Sequence, residues 1–102
     1  MTIEHGKIEG DLHLDYELIM HGVIAGNVTV VKGGIFLLNG SCINNIVIEK
    51  GAKATLNGNV GGNVLNQGGQ LKVYGTVDGH VHTTDDGITY IDRGAVVKGK
   101  SR

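Results

Sequence analysis

Apolar residues along this chain come in pairs two apart, separated by polar or small residues. One series of pairs is Leu12/Leu14, Val28/Val30 and Ile46/Ile48; another is Phe36/Leu38, Ala54/Leu56 and Leu71/Val73. Alternation at period two predicts extended strands with one buried face. A third equivalent place holds Ile8, Ile24, Cys42, Val60 and Val77. The pairs recur as parts of a longer unit. Residues 22–39 read GVIAGNVTVVKGGIFLLN, 40–57 read GSCINNIVIEKGAKATLN, 58–74 read GNVGGNVLNQGGQLKVY and 75–92 read GTVDGHVHTTDDGITYID. A shorter, acidic copy precedes them at 6–21, and a partial copy, RGAVVKG, follows at 93–99. The period is about eighteen residues and covers nearly the whole chain.

Three short strands per unit, divided by Gly or Asn corners, describe one triangular coil. Stacked coils would place equivalent side chains above one another in apolar columns. The expected fold is therefore all-β: a single-domain, three-sided parallel β-helix (solenoid) over residues 1–102, with about five to six coils. Two rivals use the same residues differently. Leu38-Asn39-Gly40-Ser41 and Leu56-Asn57-Gly58-Asn59 are hairpin signals taken singly, and a meander or small barrel could use them. Hairpins do not explain why whole units align on the same corners. The left-handed helix of hexapeptide-repeat acyltransferases has one large inward residue per side. Paired inward residues here favour a right-handed or mixed solenoid instead.

Composition sharpens this picture. There are 18 glycines, no proline and only 4% aromatic residues. Collagen would need a strict triplet and abundant proline, and disordered chains are poor in the β-branched residues found here. Glycine and valine at this density also oppose helices. Net charge is −1, so no basic field points to nucleic acid. The single Cys42 has no partner for an internal disulfide, which suits a reducing compartment. The start, Met1-Thr2-Ile3-Glu4-His5, lacks a charged-then-apolar leader pattern, and no apolar stretch reaches membrane-spanning length. A soluble cytoplasmic protein without a transmembrane segment is expected.

The repeat resembles that of bactofilins, the polymer-forming bacterial cytoskeletal proteins. Gly22, Gly26, Asn27, Val28, Val30, Gly33 and Gly34 carry the pattern, with counterparts at Asn45, Ile46, Ile48, Gly51, Gly62, Asn63 and Val64. Asp92-Arg93-Gly94-Ala95-Val96-Val97-Lys98-Gly99 is similar to a bactofilin coil as well. The resemblance spans roughly residues 6–99 and implies a compact β-helix that assembles end to end without nucleotide or metal. This sequence departs from the family in lacking proline-containing tails. Its last coil holds no aromatic beyond Tyr90, whereas in the family an aromatic near the carboxyl end supports polymerisation.

Charge is uneven along the predicted rod. Residues 1–21 hold Glu4, Glu9, Asp11, Asp15 and Glu17 against Lys7, a net −4. Residues 93–102 hold Arg93, Lys98, Lys100 and Arg102, a net +4. Unlike ends attract and like ends repel, which favours head-to-tail stacking. Glu9, Asp11, Asp15, Glu17, Tyr90, Arg93, Lys98 and Lys100 are therefore the candidate self-association residues. The chain itself is the expected partner, as dimer or filament, with another protein as a further option.

Motifs for chemistry are few. Gly94-Ala95-Val96-Val97-Lys98-Gly99-Lys100-Ser101 matches the phosphate-loop pattern G-x-x-x-x-G-K-S. That loop works by presenting phosphate to the amino end of a following helix, and only Arg102 follows here, so it reads as a chance match. Asp78, His80 and His82 would share a strand face if their segment stays extended, with Asp85 or Asp86 as further oxygen ligands. Solvated polar alternation is the ordinary reading of the same pattern. Cys42 falls in an inward column, where a thiol acts as a small hydrophobe. Asp11, Asn27, Asn45, Asn63 and His80 share one corner, and Asn39 and Asn57 another; Asn tolerates left-handed backbone there and can stack its amide with neighbours, a structural use. No catalytic residues and no cofactor are assigned. The expected function is a non-catalytic, self-associating scaffold. An immunity- or antitoxin-like binding module is the alternative, and a hexapeptide-repeat-type acyltransferase is third.

Overall fold

The computed structural model describes residues 1–99. Those residues form seventeen short strands and no helix. In chain order they are β1 Thr2–Glu4, β2 Lys7–Ile8, β3 Leu12–Leu14, β4 Glu17–Met20, β5 Val23–Ile24 and β6 Val28–Val30. Then follow β7 Ile35–Leu38, β8 Ser41–Cys42, β9 Ile46–Glu49, β10 Lys53–Leu56, β11 Asn59–Val60 and β12 Val64–Gln67. The last five are β13 Gln70–Val73, β14 Thr76–Val77, β15 Val81–Thr84, β16 Ile88–Ile91 and β17 Val96–Val97.

Every third strand lies in the same sheet. The first sheet runs β1-β4-β7-β10-β13-β16, the second β2-β5-β8-β11-β14-β17 and the third β3-β6-β9-β12-β15. All strand ladders are parallel, so the chain coils rather than turning back in hairpins. The Asn-Gly steps at Asn39 and Asn57 are corners of the coil. The predicted three-sided β-solenoid is the fold observed, about five turns at eighteen-residue spacing.

The core is a set of columns. Leu18, Phe36, Ala54 and Leu71 stack in the first sheet, beside Met20, Leu38, Leu56 and Val73. Phe36 is followed by the small Ala54, so one bulky ring is accommodated without widening the coil. Ile24, Cys42, Val60 and Val77 line the second sheet, and Val28, Ile46, Val64 and Val81 the third. All of these are buried. One column changes character: Leu14, Val30 and Ile48 give way to Asn66 and then Thr83. Asn66 is fully buried and fully bonded. Its Oδ1 accepts from Gly69 N–H at 2.8 Å, and its Nδ2 donates to Gly69 O, Ile88 O and Thr89 Oγ1 at 3.0–3.1 Å.

Corners decide how tightly coils stack. A Cβ on Gly58 would run into the carbonyl oxygen of Gly40 below it, and a Cβ on Gly40 into that of Gly22. Glycine is required there by close backbone approach. At the corner entering the first sheet the reason is different: Gly51 has φ +84, a left-handed conformation.

Candidate functional site: the two open ends

Sheet order leaves three strand edges without a neighbour at each end of the described rod: β1, β2 and β3 at one end, β16, β17 and β15 at the other. Unpaired strand edges are templates for pairing with another chain. No helix covers either end among the described residues. The molecule measures 31 × 26 × 20 Å, so these ends form a large share of its surface.

The amino-terminal end is acidic and partly polar inside. β1 extends the repeat further back than the sequence alignment did, pairing Thr2, Ile3 and Glu4 with Leu18, Ile19 and Met20. Glu4 thereby occupies the inward column of Met20 and Leu38 at the mouth of the coil. It is half-buried, and its carboxylate accepts from Gly6 N–H at 3.2 Å. Glu4 was legible only as one acid among five. The sixteen-residue spacing of His5 and His21, whose rings stack at 4.9 Å, was the signal for its place. Glu9 lies beyond β2 and pairs with Lys7 at 3.1 Å. Asp11 sits at the next corner, where its carboxylate accepts from Asn27 N–H at 2.9 Å. Asp15 is exposed after β3. Glu17 differs from the expectation. It lies beside Ile35 on the outer side face of the first sheet rather than on an end edge.

The carboxyl-terminal end collects the other candidates. Tyr90 lies on the edge strand β16 and points outward, with its ring 6.0 Å from that of Tyr74. Its hydroxyl donates to Asp92 Oδ1 at 3.0 Å, and this carboxylate raises the phenol above its ordinary pKa. Arg93 is exposed in the turn that follows. Lys98 bonds Asp78 at 3.3 Å, which offsets part of its charge. Lys100, with Ser101 of the phosphate-loop match, lies outside the described residues.

The expected corner column is present, and its side chains join neighbouring coils rather than turning the backbone left-handed. Asn27 Oδ1 accepts from Asn45 N–H at 3.0 Å, Asn45 Oδ1 from Asn63 N–H at 2.8 Å and Asn63 Oδ1 from His80 N–H at 2.8 Å. None of these asparagines is left-handed; among the described non-glycine residues only Asp85 and Asp86 have positive φ. The side chains instead supply acceptors where the corner breaks the ladder of strand hydrogen bonds. Asn57 Nδ2 donates to Asn39 Oδ1 at 3.0 Å at the other corner.

The histidine–aspartate segment does not stay extended. A corner at residues 78–80 parts Asp78, beyond β14, from His82 on β15. Asp78 faces the second sheet's side, where it meets Lys98. Among the described residues no three His, Cys, Asp or Glu side chains are grouped to hold a metal ion. Cys42 is 1% exposed, and burial raises its thiol above the ordinary value of 9.0. Its Sγ lies 3.7 Å from Gly26 O.

These features define a class, a three-sided parallel β-solenoid with unpaired strand edges at both ends of the described residues. Comparison with protein-family models, curated proteins and solved structures gave no match. No described helix is long and apolar enough to cross a membrane.

Proposed function

We propose that this protein is a bactofilin-like, non-catalytic scaffold that associates with itself end to end in the cytoplasm. The observation that carries the reading is the pair of unpaired three-strand edges on one rigid parallel stack. Another copy supplies what each edge lacks: parallel strands at the same spacing and backbone groups in the same directions. Acidic groups at the amino-terminal edge, Glu9, Asp11 and Asp15, would meet Arg93 and the closing segment 93–102, whose sequence carries a net +4 with Lys98 and Lys100, while Asp85, Asp86 and Asp92 of the last coil oppose them. Opposite signs make the head-to-tail joint the attractive one, and such a joint grows without closing. Tyr90 adds an exposed ring beside that joint.

Reversing charge at Arg93 and Lys100 together tests this while leaving the Lys98–Asp78 pair intact. Electron microscopy should show elongated assemblies for the parent chain at low salt and short or absent ones for the Arg93→Glu, Lys100→Glu variant. Equal assembly of the two chains would reject the electrostatic joint.

A further inference from the structure

The outer face of the first sheet carries a pattern that the end joints do not use. One outward column runs Glu17, Ile35, Lys53, Gln70, Ile88; the next runs Ile3, Ile19, Leu37, Thr55, Lys72, Tyr90. Ile35 is 42% exposed, and Ile19 and Leu37 are half-buried. Glu17 and Lys53 flank Ile35 one coil below and one coil above, both exposed. Among the described residues neither closes an ion pair within the chain.

We propose that two copies pair laterally through this face, about a two-fold axis lying along β7. Such an axis preserves strand direction and reverses the stacking direction. It sets Ile35 against Ile35 and Leu37 against Leu37 of the second copy. Glu17 then faces the partner's Lys53, and Lys53 the partner's Glu17, so one column read backwards complements itself. Packed sheets lie about 10 Å apart, a gap that these side chains bridge. The apolar rows at Ile19, Ile35 and Leu37 lose water in the same step.

The third sheet offers no such solution. One position beyond Leu14, Val30 and Ile48 stand Asp15, Val31 and Glu49, so an axis at Val31 would oppose two acids. The second sheet presents Val23, Ser41, Asn59 and Thr76 outward, with no charge pair about an apolar centre. The first-sheet face spans about 13 Å by about 24 Å, on the order of 300 Å². A standard interface buries roughly 800 Å² on each side, so this contact is weak alone and gains effect when several copies are aligned.

Sedimentation equilibrium of the full chain, from micromolar to millimolar concentration, tests the pairing. Glu17→Lys and Lys53→Glu each turn two attractive pairs repulsive and should weaken the lateral dimer about tenfold. The double variant should recover to within about threefold of the parent. Ile35→Glu should abolish the dimer, and Asn59→Glu on the second sheet should leave it unchanged. Circular dichroism and melting report whether these outward substitutions leave the fold intact. Singles without effect, a double that fails to recover, or a parent chain monomeric throughout would overturn the proposal. The end-joint variant Arg93→Glu, Lys100→Glu leaves this charge-swap pattern in place, which separates failure of one contact from failure of the other.

Discussion

At the residue scale, a corner asparagine acts as a piece of backbone. The backbone carbonyl of Asn45 accepts from Val28 N–H, its own N–H donates to the side chain of Asn27, and its Oδ1 accepts from the N–H of Asn63. Asn45→Ala removes the acceptor beneath Asn63 and should cost about 1 kcal/mol of unfolding free energy. Chemical denaturation measures this, and Asn45→Asp, which keeps an acceptor, should cost less. Spacing alone revealed this column, because Asp11, Asn27, Asn45, Asn63 and His80 fall at equivalent places. What spacing did not reveal was the bond, since residue type does not specify φ and Asn serves left-handed turns and side-chain bridging alike. Cys42 was legible as an inward thiol, and burial supplies its chemistry. Its pKa is raised in the folded state, so the native chain holds the proton that the unfolded chain gives up. The contribution of Cys42 to stability should therefore be constant below about pH 9 and fall as pH rises through that region. Cys42→Val should lose that alkaline dependence. A thiol reagent should label Cys42 at the rate of unfolding.

At the element scale, the two-residue strands β5, β8, β11 and β14 hold because each lies between equivalent strands above and below. Their own length gives little; the column gives the register. Gly58 shows how strict the stacking is, because its missing side chain lets the Gly40 carbonyl approach. Gly58→Ala should cost at least about 2 kcal/mol, seen as a lower denaturation midpoint. The same column made the fold legible, since recurrent glycines and paired apolar residues marked sides and corners together. The first coil was less legible. It spans sixteen residues between Leu12 and Val28, with a shorter corner before β4. Alignment by an eighteen-residue period therefore missed β1, and with it the inward place of Glu4. It also concealed that Glu17 belongs to a side face. A shared face for Asp78, His80 and His82 needed an extended segment, and the corner at residues 78–80 interrupts it although the alternation in sequence continues.

At the scale of the whole molecule, a few coils make a rod whose ends are comparable in size to its sides. That geometry gives the uneven charge its meaning, with a net −4 over residues 1–21 and a net +4 over residues 93–102, beside Asp85, Asp86 and Asp92 of the last coil. Lys7–Glu9 and Lys98–Asp78 pair internally, which leaves Asp15 and Arg93 among the exposed charges of the two ends. Salt at physiological strength screens such charges beyond about 8 Å, so assembly by these ends must depend on ionic strength. Sedimentation velocity against protein concentration, at low and at high salt, tests end-to-end association most directly. The account predicts weight-average mass that keeps rising with concentration at low salt and falls as salt is added. A discrete monomer at every concentration, insensitive to salt, would contradict it.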